Sequence, residues 1–554
     1  MELYRKIGID CPFPHQVQML KLLMAGKFPI LLKAPTGSGK TEAVVVPFLH
    51  QFLRNEFTLA PRLIYVLPMR VLVNNIAERI KKYTENIGVD ISVKVQHGDV
   101  PSSPFFISDI VVTTLDQFLY GFARVSKQVG YHIDMPAGAI ASSFVVFDEA
   151  HMYRDEFTFS IMRALIEILY KSNVPFVIMT ATMPKSLEET LFENIKNYYR
   201  VESDIRVSGS IEWKLIGENI YADGEVNIPD EIWEKMKSKK TLIVVNQVKK
   251  AQEIYREVKA RLELDDEQII LLHSRFTKAD RTEHERGALS LIPHRENGRI
   301  KRVEGIGVVV STQVLEAGID FSAELLLTEV APADALIQRV GRCARYESEK
   351  GEVVIFTVDE HKPYKKKCIE STLDWLNANP QFNWRDFPDV CRFVDETLDY
   401  KANDYEARDT LVDLYECVLY ADQEPRNIQV RDGKPAQIVV VEPVVSSKRE
   451  KREAQLLNGI KQLMREKKLS DSSFDVDIKI VWSWFKEGLI QYELVWQYDE
   501  DAKKMRPNVV NILERGAGEP SAEDPRISPF STYILENHNY NSKIGVKRDG
   551  AIFV

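Results

Sequence analysis

The stretch Ala34-Pro35-Thr36-Gly37-Ser38-Gly39-Lys40-Thr41-Glu42 follows the apolar run Phe28 to Leu32 and precedes Ala43-Val44-Val45-Val46, so it reads as strand, glycine-rich loop and helix start. Such a loop binds phosphate because its backbone N–H groups and a helix N-terminus face the anion, while a lysine and a hydroxyl reach the outer phosphates and magnesium. Here Thr36, Gly37, Ser38 and Gly39 form the backbone cradle, Lys40 is the lysine and Thr41 the magnesium hydroxyl. Ala34 replaces the usual first glycine but leaves the phosphate-contacting part intact. The spacing predicts a site for a nucleoside triphosphate with Mg2+.

Working outward, short apolar runs alternate with helical stretches. They are Ile30-Leu32, Leu63-Leu67, Ile110-Val112, Phe144-Phe147 and Phe176-Met179. Runs buried on both faces and joined by helices indicate a parallel sheet in an α/β domain. A second series follows at Thr241-Val245, Ile269-Leu272, Gly307-Val310, Leu325-Thr328 and Val353-Thr357, without a second phosphate loop. The expected organisation is α/β: an ATP-binding domain over 1–205, a second α/β domain over 206–360, and a mixed, largely helical accessory domain over 361–554. Gly121–Ala141 reads as an inserted loop or short helices. In the accessory part, Ser446–Lys468 reads as a mixed-charge helix with Leu456, Leu457, Ile460 and Leu463 on one face. Ile478–Trp484 and Gln491–Tyr498 read as β-prone, and the β core is the commoner place for Trp482, Trp484 and Trp496 than a base-stacking surface.

A length of 554 residues is too much for one core. The 44% hydrophobic and 28% charged content is that of a globular protein, and the net charge of −9 argues against a globally basic nucleic-acid coat. A nucleic-acid path would be a local basic channel. The five cysteines include no C-x-x-C pair, which argues against a disulfide framework or a cysteine zinc site. No signal h-region or membrane span is legible, so a cytoplasmic location without membrane contact is expected.

The run Phe144 to Phe147 ends in Asp148-Glu149-Ala150-His151. Carboxylates at the carboxyl end of a buried strand lie where open α/β sheets bind ligands. Asp148 is placed to hold magnesium, and Glu149 to orient the attacking water and take its proton. With this motif the chain resembles superfamily 2 helicases of the DEAH-box pattern, which have two tandem RecA-like domains. Phe13-Pro14-His15-Gln16 resembles the family's adenine-reading segment, which implies that role for Gln16. Leu67-Pro68-Met69-Arg70 and Thr113-Thr114-Leu115-Asp116-Gln117 resemble its strand-contacting motifs. Thr180-Ala181-Thr182 resembles the motif that couples hydrolysis to domain movement, and the resemblance gives His151, Thr180 and Thr182 that role. Ser311-Thr312-Gln313-Val314-Leu315-Glu316-Ala317-Gly318-Ile319-Asp320 is similar to the motif touching nucleotide (Gly318, Asp320) and strand (Thr312, Gln313). Gln338-Arg339-Val340-Gly341-Arg342-Cys343-Ala344-Arg345 is similar to the arginine-finger motif, implying catalytic roles for Gln338, Arg342 and Arg345. Arg342 and Arg345 are three apart on a predicted helix and share a face. Strand contact is expected through the phosphates, from Pro68, Arg70, Thr114, Arg275, Thr312 and Gln313.

Within that superfamily, Asp148 to Asp155, the Thr-Leu-Asp-Gln motif and Leu272-His273-Ser274-Arg275-Phe276 resemble the helicase portion of the CRISPR-associated helicase-nuclease of type I interference systems. The resemblance implies an ATP-dependent single-stranded DNA translocase loaded by a guide-RNA surveillance complex. Such enzymes usually carry an HD nuclease domain; none of the ten histidines here is followed by Asp, and only fifteen residues precede Gln16. The expectation is therefore a stand-alone helicase whose nuclease is a separate HD subunit. Rival readings are a general RNA or DNA-repair helicase and a nucleotide-binding recruitment module without turnover.

Overall fold

The computed structural model describes residues 2–546 apart from 99, 154–155, 204, 206–208, 297–298, 317–319, 399–408, 410, 414–415, 417–433, 443, 445–448, 500–502 and 517–523. In the first domain the apolar runs become strands β1 (Ile30–Lys33), β2 (Arg62–Leu67), β5 (Ile110–Thr114), β6 (Ser143–Phe147) and β7 (Phe176–Thr180), almost wholly buried. Three less regular segments add β3 (Val93–His97), β4 (Val100–Pro101) and β8 (Tyr199–Glu202). The order is β4-β3-β5-β2-β6-β7-β1-β8, parallel except at the β3–β4 edge. Burial of both faces under helices explains why the core strands are continuous apolar runs and not alternating ones.

The second sheet is built from β9 (Ser210–Asn219), β10 (Thr241–Val244), β11 (Ile269–Leu272), β12 (Val308–Ser311), β13 (Leu325–Glu329) and β14 (Lys350–Thr357). Its order is β11-β12-β10-β13-β14-β9, and every pairing is parallel. The chain thus leaves the first sheet after Glu202 and enters the second at Ser210. Two tandem α/β units with parallel sheets agree with the expected RecA-like architecture.

The region after residue 361 divides between two faces of that second sheet. Helices Lys366–Ala378 and Phe387–Thr397 bring Ile369, Trp375 and Phe393 into one core with Leu242 and Val309. The opposite face, carrying Ile243 and Val310, shares its core with a third sheet through Ile438, Trp484 and Tyr533. That sheet comprises β15 (Pro435–Val441), β16 (Ser473–Asp477), β17 (Ile490–Asp499), β18 (Lys504–Asn511) and β19 (Thr532–Glu536), in the order β16-β15-β19-β17-β18. The accessory part is therefore mixed, and much of its described core is shared with the second motor sheet. Helix Arg449–Arg465 packs Leu456 and Ile460 on the outer face of the third sheet.

The β-prone segment Ile478–Trp484 is a correction: it lies in a helix, Ile478–Lys486. The Asp477 side chain caps it by accepting from Lys479 N–H. Ile478, Val481, Trp484 and Phe485 then fall on one buried face, and helical spacing plus a cap outweigh the β-branched composition. Trp484 is buried, whereas Trp496 is 40% exposed. Among the described residues, no helix is long and apolar enough to cross a membrane.

Candidate active site between the two motor sheets

The phosphate loop leaves the carboxyl end of β1, and Gly39 opens helix Lys40–Arg54 with a left-handed φ of 77°. A side chain at Gly39 would be strained at that φ, and its Cβ would lie 2.4 Å from Gln16 Nε2. Lys40 is buried and donates to the Ala34 carbonyl oxygen at 3.1 Å. Gln16 was expected to read adenine, but both ends of its amide are engaged within the chain. Its Oε1 accepts from Phe13 N–H at 2.9 Å, and its Nε2 donates to the Gly39 carbonyl oxygen at 3.0 Å. Gln16 thereby ties the segment before the loop to the loop itself.

Two strands away, Asp148 and Glu149 follow β6. Asp148 Oδ1 accepts from Glu149 N–H at 2.8 Å, and Oδ2 accepts from the Tyr65 hydroxyl at 2.5 Å. Burial, and then the neighbouring Glu149 charge, push the Asp148 carboxyl up to about 6. Burial acts upward on Glu149 as well, but Lys40, His151, Arg342 and Arg345 hold it below the usual carboxylate range. Two carboxylates in one pocket are thus driven apart, one held ionised and one easily protonated.

Thr41, Asp148 and Glu149 offer hard oxygen donors, the set that suits Mg2+. Ser38 Oγ is buried without a hydrogen-bond partner and Glu149 Oε2 has His151 Nδ1 at 3.5 Å, polar capacity that a phosphate–metal group fits. The residues present therefore fit a magnesium nucleotide held by Lys40, Thr41 and Asp148.

His151 connects the two domains. Gln338, on helix Ala333–Val340 of the second domain, donates through Nε2 to His151 Nε2 at 3.1 Å. That assigns the imidazole proton to Nδ1, which faces Thr180 Oγ1 at 3.1 Å. The Thr180 hydroxyl donates onward to the Thr182 carbonyl oxygen at 2.8 Å. Gln338, His151, Thr180 and Thr182 thus form one line of hydrogen bonds.

Arg342 was expected to share a helix face with Arg345, but helix Ala333–Val340 ends before both; Arg342 is buried and Arg345 half-buried, and each is engaged. Arg342 donates to the Leu315 and Glu316 carbonyl oxygens at 3.1 and 3.0 Å, and burial, then Arg345, pull its pKa down to about 9. Arg345 pairs with Asp320 Oδ1 at 2.7 Å. Asp320 was expected on the nucleotide; here its partner is this arginine. Gly318 lies outside the described residues.

The expected strand-contacting residues are dispersed among internal partners. Arg70 lies 3.5 Å from Asp475 of the third sheet. Arg275 is 4% exposed, its guanidinium 5.9 Å from the ring centroid of Trp484 on helix Ile478–Lys486 of the accessory part. Thr114 and Thr312 are buried, Gln313 donates to the Asn246 carbonyl oxygen at 2.7 Å, and Pro68 directly precedes the Met69 cap of helix Arg70–Ile87. Of the six, Thr114, Arg275 and Thr312 are buried and Arg70 is exposed.

Sequence reasoning missed a second layer. Glu42 is buried and accepts from Tyr83 and Arg79, which sit one turn apart on helix Arg70–Ile87. Arg339 is buried among Glu316, Thr328, Glu329, Asn246 and Tyr364. Tyr65 was read only as part of an apolar strand; its hydroxyl is the one polar atom that could have flagged it.

Two largely parallel sheets, a phosphate loop, an acidic strand end and arginines approaching it from a second domain make one nucleotide site shared between two domains. Residues 13–190 match the DEAD/DEAH box helicase family. Residues 237–348 match the family described as CRISPR-associated nuclease/helicase Cas3, C-terminal. A DEAD/DEAH box helicase domain joined to a Cas3-like C-terminal helicase domain is what this chain is built from. It is 30% identical over 398 residues to the CRISPR-associated helicase Cas3 of Thermoproteus tenax, covering 67% of this chain and 64% of that protein. It is 27% identical to the CRISPR-associated nuclease/helicase Cas3 of Methanothermobacter thermautotrophicus, covering 65% and 44%. The chain thus spans less than two thirds of the length of these relatives. The crystal structure of T. fusca Cas3 superposes with a TM-score of 0.65 at 18% identity, covering 97% of this chain and 69% of that one, which shows the shared fold.

Proposed function

We propose that this chain is an ATP-driven translocase and helicase on single-stranded DNA, acting in type I CRISPR interference. The observation that carries the motor reading is the hydrogen-bonded line from Gln338 through His151 to Thr180, which joins the second domain to the acidic strand end. In this reading residues 1–205 and 206–360 are the moving parts and 361–554 an accessory unit. Lys40, Thr41 and Asp148 hold the magnesium nucleotide, with Thr36 to Gly39 cradling phosphate. Magnesium would supply charge neutralisation on the phosphates and orientation of the reacting group. Glu149, held ionised, orients the attacking water and takes its proton. Arg342 and Arg345 approach from the second domain and meet the charge that develops in the transition state. Loss of that charge relaxes their hold, and Gln338 transmits the change through His151.

The CRISPR assignment is supported by the Cas3-like match and by the names of the relatives. A structure titled CRISPR RNA-guided surveillance complex, pre-nicking, also shares this fold, at a TM-score of 0.58. We assign loading to a guide-RNA surveillance complex and cutting to a separate HD nuclease subunit. Phosphate hydrolysis measured with single-stranded DNA, single-stranded RNA or neither tests the reading. Stimulation by DNA is expected; stimulation by RNA alone sinks the interference role, and absence of hydrolysis with any partner leaves a recruitment module.

A further inference from the structure

Tyr65 occupies the middle of β2, in register with Val112 on one side and Val146 on the other, and is wholly buried. A strand position with apolar cross-strand neighbours ordinarily takes an aliphatic or phenyl side chain. A buried phenol must instead find a partner for its hydroxyl. The partners here are specific: Asp148 Oδ2 at 2.5 Å and Thr41 Oγ1 at 3.4 Å.

These are the two side chains that the motor reading assigns to magnesium, and they come from different elements. Thr41 stands on the helix that opens at Gly39, and Asp148 follows β6. One phenolic oxygen therefore lies against both. Its proton goes to Asp148, since a phenol has only one and the 2.5 Å contact is in the charge-assisted range. Its lone pairs are left to face Thr41, whose own proton can turn towards them and leave the threonine lone pairs for a cation. Asp148 is fixed twice over, by Glu149 N–H on Oδ1 and by Tyr65 on Oδ2, so the plane of its carboxylate is set by the chain.

We propose that Tyr65 is a positioning residue for the magnesium site, holding the Thr41 hydroxyl and the Asp148 carboxylate in mutual register through one buried phenolic oxygen. It does not touch the nucleotide and takes no part in the chemical step. It acts as outer hydrogen-bond partners of metal ligands generally do, by fixing the orientation of the ligands. The inference rests on the motor reading of the same site.

The test is Tyr65→Phe, which keeps the ring and removes the oxygen. Binding of a fluorescent ATP analogue is titrated with Mg2+ and repeated in EDTA. The expected result is a rise of roughly 10- to 100-fold in the Mg2+ concentration for half-maximal binding. Binding in EDTA stays as in wild type. A parallel titration of Asp148→Asn and of the double variant should show that the second substitution adds little to the first. Wild-type Mg2+ dependence in Tyr65→Phe overturns the inference, and so does equal weakening with and without metal, which would mark a packing residue. Additive effects in the double variant also overturn it. If Tyr65→Phe melts too low to assay, Thr41→Val in the wild-type background takes its place in the cycle with Asp148→Asn; independent effects of those two ligands overturn the inference. A wild-type chain that binds no nucleotide fails the motor reading, which is a distinct result.

Discussion

At the carboxyl end of the first sheet Ser38 Oγ and Thr182 Oγ1 are buried with no hydrogen-bond partner, while at the end of the second sheet the arginines are held by their own domain. Arg339 is surrounded by acceptors, Arg342 is held by two carbonyl oxygens, and Arg345 is paired with Asp320. Buried polar atoms without partners are costly, so the first end is poised for a ligand. The second end already holds part of each guanidinium, Arg342 through Nε and Nη2 and Arg345 through Nε and Nη1. The same α/β framework thus yields a receptor on one side and a latched set of cations on the other.

The largest expected effect breaks the arginine side. Arg342→Ala should lower the single-turnover hydrolysis rate by about 10³- to 10⁵-fold while nucleotide binding persists, because the arginine acts on transition-state charge. Retained hydrolysis would make it a tie between Leu315 and Glu316 only. Next comes the receptor side, where Glu149→Gln should cost about 10²- to 10⁴-fold in kcat with nucleotide affinity kept. A smaller effect is expected at the bridge between the two ends. Gln338→Ala removes one hydrogen bond of about 1 kcal/mol, so DNA stimulation of hydrolysis should fall roughly fivefold, with nucleotide binding unchanged. Equal losses in binding and stimulation would place Gln338 in local packing.

The smallest effect is on stability. Asp148 has a folded pKa of about 6, raised by burial and then by Glu149, so folding favours its protonated form. That favourable contribution is full at acid pH and is lost as pH rises through about 6. Asp148→Asn should therefore raise the first melting transition of the metal-free chain at pH 7.5 by about 2–4 °C. The difference should shrink towards pH 5. A variant that melts lower at pH 7.5 would show that the carboxylate is needed for packing.

Much of the framework was legible because buried parallel strands leave apolar runs, and each of the ten runs named from the sequence falls on a strand, with only Val245 and Gly307 overhanging by one residue. The edges were not: Val93–His97 and Ser210–Asn219 are partly exposed and mix polar with apolar residues, so they lack that signal. The phosphate loop, Asp148 and Glu149 were legible because their chemistry demands fixed residue types at fixed spacing. The partners that hold them were not, since Tyr65 sits inside an apolar run, and Glu42 meets Arg79 and Tyr83 only after folding. Arg275 misled for a similar reason, because its cover, Trp484, comes from a part of the chain more than two hundred positions later.

The stretch folded back over the second motor unit also has a consequence for biosynthesis. The carbonyl oxygens of Ile544 and Val546 accept from Gln252, and the Tyr540 hydroxyl donates to Asp280, so residues 540–546 lie on the second motor unit. The core of that unit extends to Val546, far beyond its last strand at Thr357. On a ribosome, the first unit can close over the phosphate loop while the second still waits for its remaining core. At roughly 5–20 residues per second, that interval is on the order of tens of seconds. During it the arginine-bearing half lacks the part of its apolar core that Ile438, Trp484, Tyr533 and Val546 supply.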